Sequence, residues 1–236
     1  MKKVISLSGG LDSTVMAYWL VDKYGAENVL PVTYFYGQKN GIEIKSARLT
    51  CEKLKIPYKC IDISFLGDLC KNVSSLSSSS TIDVPMDSKM ELPAAADVPK
   101  HTIPSTYIPY RNLIMLSVSM AYAESHGANE VYISSQLTDI HWDSQINFVD
   151  ALNEVSILNI EQPIMVKAPF VSYSKVDEIK IGTKLGVPFE DTWSCYDPQF
   201  LSQPCQVCTA CIKRKEAFED AGILDPVIHN GLAIKE

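Results

Sequence analysis

Near the N-terminus, Ser8-Gly9-Gly10-Leu11-Asp12-Ser13 has the residue types and spacing of an anion-binding turn. Two glycines let the backbone approach an anion closely. The N–H groups of such a turn, with the open N–H groups of a following helix, form a concave site for negative charge. Ser8 and Ser13 add hydroxyl donors, and no Gly-Lys-Ser/Thr follows at the spacing of a Walker A loop. A second constellation lies near the C-terminus, where Cys195, Cys205, Cys208 and Cys211 follow the pattern C-x9-C-x2-C-x2-C. The two C-x2-C steps place three thiolates around one point, and Cys195 closes a tetrahedron. Four thiolates with no spare position describe a structural zinc site. Iron–sulfur clusters also use closely spaced cysteines, so the metal stays open at this point, ligand type and tetrahedral preference favouring zinc. Such a site would hold residues 190–211 against the rest of the chain, with Trp193 covering the joint.

These groups need elements to position them. Val4-Ile5-Ser6-Leu7 reads as a buried strand, and Thr14 onward, with Val15, Met16 and Ala17, as a helix. Further strands are expected at residues 28–36, 58–63, 130–135 and 164–168, and helices at 42–54, 112–125 and 143–158. Ser174 followed by Asp177 signals another helix start, which Gly186 closes. Strand–helix alternation implies an α/β fold with a parallel sheet, helices on both faces and right-handed crossovers. Ligands of such sheets sit beyond the carboxyl ends of the strands, so residues 8–13, 36–40 and 134–139 are expected to converge on one cleft. Residues 64–106, rich in serine and proline, form a long break that reads as a functional, partly mobile insertion.

The 236 residues, 46% hydrophobic and 21% charged, suit an α/β domain over 1–189 with a small metal-binding segment over 190–236. No apolar run is long enough for a membrane span or a signal-peptide core, which leads to the expectation of a cytoplasmic protein. A net charge of −7 without a dense basic block argues against direct nucleic-acid binding. Lys213-Arg214-Lys215 reads as a solvated helix face, and Cys51 and Cys60 as small buried hydrophobes.

Ser-Gly-Gly-x-Asp-Ser resembles the PP-loop of ATP pyrophosphatases, which hold the β,γ-pyrophosphate of ATP and direct chemistry to the α-phosphorus. Together with Tyr36-Gly37-Gln38, Pro109-x-Arg111-Asn112, Ala121-Tyr122-Ala123, Leu185-Gly186-Val187-Pro188, Thr192-Trp193-Ser194-Cys195-Tyr196 and the later cysteines, it resembles the 7-cyano-7-deazaguanine synthase family over most of the chain. The resemblance implies a Rossmann-like, adenine nucleotide alpha-hydrolase-like sheet fold and a homodimer. It implies ATP, Mg²⁺ and Zn²⁺ as cofactors, with ATP on Leu7, Ser8, Gly9, Gly10, Leu11, Asp12, Ser13, Thr14, Val15, Met16 and Ala17. Asp12, Ser13 and Arg111 would be catalytic, Asp12 working through a metal or a water rather than as a bare anion. Tyr36, Gln38, Asn112, Asp139 and Asp143 would bind the substrate. The implied reaction turns 7-carboxy-7-deazaguanine and ammonia into the nitrile through adenylated acid and amide intermediates. A related ligase stopping at the amide or joining another deazapurine or amine, or a tRNA-thiolating PP-loop enzyme, are the alternatives. The chain departs from the family pattern at Asn40, where histidine is usual, at Tyr110, where glycine is usual, and at Gln145, where arginine is expected.

Overall fold

Val4 and Ile5 are neighbours in sequence and both fully buried, each in a different core cluster, so the strand that carries them is covered on both faces. The computed structural model describes residues 1–84, 104–136, 142–159, 162–198 and 203–229. The strands β1 (Lys3–Ser6), β2 (Val29–Phe35), β3 (Cys60–Asp62), β4 (Glu130–Tyr132) and β5 (Met165–Lys167) form a five-stranded sheet in the order β3-β2-β1-β4-β5. Every pairing is parallel. Pro31 is tolerated in β2 because β3 pairs only with Thr33, Tyr34 and Phe35, leaving Pro31 a ladder partner, Ile5, on one side.

The chain winds outward twice from β1. Helices α1 (Leu11–Tyr24) and α2 (Ile42–Leu54) join β1 to β2 and β2 to β3. They pack with Ile5, Leu7 and Val29 on one face, through Val15, Met16, Leu20, Ala47 and Cys51. After α3 (Phe65–Cys70), the chain crosses by α4 (Arg111–Ser125) to β4, and α5 (Ile146–Ser156) carries it to β5. Leu66, Leu116, Val149 and Leu152 of these helices pack on the other face, against Val4, Val32, Val131 and Val166. Parallel strands joined through a helix in this way follow the right-handed crossover rule. The winding reverses between β1 and β4, so their carboxyl-end loops part and leave a crevice.

Two helices complete the first face. α6 (Lys175–Lys184) starts with a capping box in which the Ser174 hydroxyl accepts from the Asp177 N–H and the Asp177 side chain accepts from the Ser174 N–H. α7 (Thr209–Ala221), which begins inside the last C-x2-C step with Cys208 as its cap and Cys211 in its first turn, buries Phe218 edge-on against Phe189, with ring centroids 5.2 Å apart. A short α8 (Pro226–His229) ends the described chain.

Several expectations need correction. The Lys213-Arg214-Lys215 cluster is not a uniformly solvated face. Arg214 is buried, its Nε donating to Asp225 Oδ2 at 2.7 Å and its Nη1 to Thr192 Oγ1 at 2.7 Å. Cys60 is exposed, because β3 is an edge strand with only its middle residue partly covered. The break after residue 64 holds α3, and Ser74, Ser75 and Ser77 are fully buried. Residues 85–103 lie outside the described residues, and with them the expectation of mobility. The helix expected over 143–158 divides into a 3-10 turn at Trp142–Ser144 and α5, and the fourth strand stops at Tyr132.

Candidate functional site

The chain leaves β1 through buried Leu7 and turns at Gly9, whose φ of 83° lies in the left-handed region. A Cβ there would stand 2.2 Å from the Glu43 carbonyl oxygen and 2.6 Å from the Ala47 nitrogen, so only glycine lets the loop rest on α2. Gly10 caps α1 with extended backbone and no side chain to close the first turn, whose N–H groups stay available to a ligand. The serines brace the loop from within: the two Oγ atoms are 3.0 Å apart, and Ser13 Oγ also accepts the Ser8 N–H at 3.2 Å.

This loop opens into a cavity of about 370 Å³ at the crevice between β1 and β4. Ser134, Ser135 and Gln136 enter it from the end of β4, and Tyr36 from the end of β2. Three cations line it, Arg111, Lys175 and Lys213, against the carboxylates of Asp12 and Glu43. Lys175 Nζ reaches Asp12 Oδ1 at 2.6 Å and Oδ2 at 2.8 Å, and Gln136 Nε2 donates to Oδ1 at 2.9 Å. Asp12 is therefore no bare anion: Lys175 and the Gln136 amide meet its charge. Arg111 lies 5.9 Å from the Tyr36 ring centroid. Burial works against its charge, but Tyr36, Asp143, Tyr196 and Glu43 around it more than compensate and hold its pKa above the ordinary value. The same burial pushes the Glu43 carboxyl up to about 7, with Arg111 opposing.

Of the residues expected to bind or react, Ser8, Gly10, Leu11, Asp12, Ser13, Tyr36, Arg111 and Asn112 do meet around the cavity. Leu7, Val15, Met16 and Ala17 do not line it; they are buried in the core behind the loop, where they fix α1 against the sheet. Thr14 is also buried, and its hydroxyl has no hydrogen-bond partner among the described residues. Gln38 is buried in the turn itself: its Oε1 accepts the Tyr36 N–H at 2.9 Å, and it shapes the loop from behind. Asp143 holds the start of α4, accepting the Asn112 N–H at 3.3 Å and, through its carbonyl, the Asn112 amide at 3.1 Å. Asp139 lies outside the described residues. Sequence reasoning missed Lys175, Glu43, Gln136 and Lys213. Lys175 left one trace: a cation at the first position of a helix is opposed by the helix dipole and needs a compensating anion.

The four cysteines come together as expected, their Sγ atoms all within 4.8 Å of one another. Cys205 and Cys211 sulfurs are 4.0 Å apart, close to the roughly 3.8 Å edge of a tetrahedral zinc–thiolate site. The Cys205 N–H points to the Cys195 sulfur at 3.2 Å and the Cys208 N–H to the Cys205 sulfur at 3.3 Å, donors that suit thiolates. The cluster could hold a metal ion. It joins directly to the anion loop. The Trp193 N–H donates to the Gly9 carbonyl at 3.0 Å, and the Cys195 carbonyl accepts from Trp193 Nε1 and Asn40 Nδ2, each at 2.9 Å.

Comparison with known proteins agrees with this arrangement. The family description "Queuosine biosynthesis protein QueC" matches residues 2–222. The chain is 39% identical to the 7-cyano-7-deazaguanine synthase of Archaeoglobus fulgidus, over 97% of this chain and 90% of that one. It is 36% identical to that of Caldicellulosiruptor saccharolyticus, over 96% and 95%, and 37% identical to that of Methanoregula boonei, over 96% and 98%. With the glycine turn, the switch-point cavity and the four-cysteine knot all present in one chain, and with a match that runs from end to end of the described fold, the chain belongs to the queuosine biosynthesis protein QueC family.

Proposed function

We propose that the chain is an ATP-dependent carbon–nitrogen ligase that makes 7-cyano-7-deazaguanine from 7-carboxy-7-deazaguanine and ammonia. The observation that carries this reading is one cavity holding an anion loop together with Arg111 and Lys175. A carboxylate cannot be displaced by ammonia directly, because its leaving group would be oxide or hydroxide. Adenylation supplies a better one. The loop of residues 8–13 grips the β,γ-phosphates of ATP, with charge neutralised by Mg²⁺ that arrives on those phosphates. A substrate carboxylate oxygen attacks the α-phosphorus and pyrophosphate leaves. Ammonia attacks the acyl carbon, AMP departs with the oxygen, and a proton is lost to give the amide. The amide oxygen then attacks the α-phosphorus of a second ATP, pyrophosphate leaves again, one N–H proton is lost, and departure of AMP with the other N–H proton gives the nitrile.

Arg111 and Lys175 stabilise charge at the α-phosphate, and Tyr36 and Asn112 line the space for the deazapurine. Cys195, Cys205, Cys208 and Cys211 would hold zinc, which supplies a structural crosslink with no open coordination position. A cytoplasmic homodimer with small-molecule substrates belongs to the same reading; no helix among the described residues is long and apolar enough to cross a membrane. The test is mass spectrometry of products from ¹⁸O-labelled 7-carboxy-7-deazaguanine, ATP and ammonium. Nitrile together with labelled AMP is expected. Product ending at the amide shifts the assignment to the amide-forming relative, and unlabelled AMP with accumulating ADP rejects adenylation.

A further inference from the structure

One turn beyond Lys175 on α6, Glu178 is fully buried, and neither of its carboxylate oxygens has a hydrogen-bond partner among the described residues. Asp12 from α1, Lys175 from its own helix and the Gln136 amide after β4 are the polar groups that face it. Two carboxyl groups thus share one cation. Lys175 is already bound to both oxygens of Asp12, which is partly open to solvent at the cavity, so Glu178 has no counter-charge of its own. A buried, unpaired carboxylate is the more costly of the two anions and is the one that takes up a proton. Asp12 Oδ1 accepts from both Gln136 and Lys175, whereas Oδ2 accepts, among the described residues, from Lys175 alone and has capacity for one more donor.

We propose that Glu178 is carried as the neutral carboxylic acid and acts as a positioning residue behind the Asp12–Lys175 pair. Its hydroxyl is the donor reserved for Asp12 Oδ2, and its neutrality leaves the Lys175 charge undivided between Asp12 and the bound anion. Burial pushes the Glu178 carboxyl up to about 9, the Asp12 charge adding to the effect and Lys175 opposing it. Above that pH a second negative charge forms beside Lys175 and draws the ammonium away from the cavity. The effect on turnover rests on the ligase reading; the protonation does not.

Two measurements on the full-length protein test the two parts. The infrared difference spectrum of wild type minus Glu178→Gln at neutral pH is expected to contain the C=O stretch of a protonated carboxylic acid. Its absence overturns the protonation, whatever reaction the protein catalyses. The pH profile of kcat/KM for ATP is expected to fall on the alkaline side in wild type near pH 9 and to lose that limb in Glu178→Gln. Glu178→Leu, which lacks a donor, is expected to fall roughly tenfold below Glu178→Gln near neutrality, the worth of one hydrogen bond. Superimposable alkaline limbs in wild type and the glutamine variant, or equal rates in the glutamine and leucine variants, overturn the positioning role. If the leucine variant does not fold, the infrared band and the glutamine profile decide.

Discussion

Lys175 stands where the positive end of α6 disfavours a cation by about 0.3–1 kcal/mol, and the Asp12 carboxylate offsets that cost. Replacing it with methionine keeps the stem and removes the charge. Lys175→Met is expected to lower kcat/KM for ATP by roughly a hundredfold, the usual loss for one charge-stabilising group at a reacting centre. Retention of more than a tenth of the wild-type value would move α-phosphate stabilisation to Arg111 or Lys213. Tyr110 poses the opposite problem. Immediately before α4 it takes φ 55°, ψ 18°, a left-handed conformation that costs a side-chain-bearing residue about 1 kcal/mol. The residue is exposed, so its ring contributes little packing in return. Tyr110→Gly is expected to raise stability by about 0.5 kcal/mol, the relief of strain being partly cancelled by the freer unfolded chain. Denaturant unfolding measures this, and a lower midpoint would mean that the tyrosine ring is held by a contact. Glu43 adds a pH dependence. Its carboxyl is raised to about 7 in the folded protein, so its stabilising proton is fully bound below the ordinary glutamate range and lost as pH rises through 7. Unfolding midpoints should therefore fall between about pH 4.5 and 7, and that slope should flatten in Glu43→Gln.

At the scale of elements, the turn at Gly9 joins three pieces: β1 before it, α1 after it and α2 beneath it. The Cβ of Gly9→Ala would meet backbone atoms of α2, which cannot swing aside as a side chain could. Either the loop lifts or α2 shifts, and the variant is expected to lose about 2–3 kcal/mol of stability together with nucleotide binding. Calorimetry with and without ATP reads both; loss of neither would mean that α2 yields freely. This turn was legible in the sequence because its glycines, serines and flanking apolar runs are contiguous, as was the α6 capping box from Ser174 and Asp177. The cysteine knot was legible for a related reason: three of its four ligands sit on a short repeat. Arg214 was not legible. Between two lysines it reads as surface, and its burial depends on Asp225 and Thr192 arriving from other parts of the chain. Glu43, Gln136 and Lys175 were missed likewise, since their chemistry arises where separate loops meet across the crevice. Val15, Met16 and Ala17 were misplaced the other way, because nearness to the loop in sequence does not bring the buried face of α1 into the cavity.

At the scale of the whole molecule, the cysteine knot and the anion loop are one mechanical unit. Cys195 contributes its sulfur to the knot and its carbonyl to Asn40 and Trp193, while the Trp193 amide holds Gly9. Asn40 is suited to this link. Its Nδ2 donates to the Cys195 carbonyl and its Oδ1 accepts the Ile42 N–H at 2.9 Å, so one amide ties the knot to the start of α2. Below, the buried Arg214–Asp225 pair anchors α7, and removing either partner would leave an uncompensated charge. Stripping a bound metal should therefore do more than loosen the C-terminal segment. Four thiolates released from a shared cation repel or protonate, Cys195 relaxes, and the restraint on Trp193 and Gly9 goes with it. A chelator-treated sample is expected to show a lower melting temperature and at least tenfold weaker ATP binding by calorimetry, both restored by one equivalent of zinc per chain. Asn40→Ala, with the metal retained, should reproduce part of the affinity loss, because it cuts the same link from the other side. If the metal-free protein melts early yet binds ATP with unchanged Kd, the knot is a stabilising clip alone and the anion loop keeps its shape from Gly9, Ser8 and Ser13.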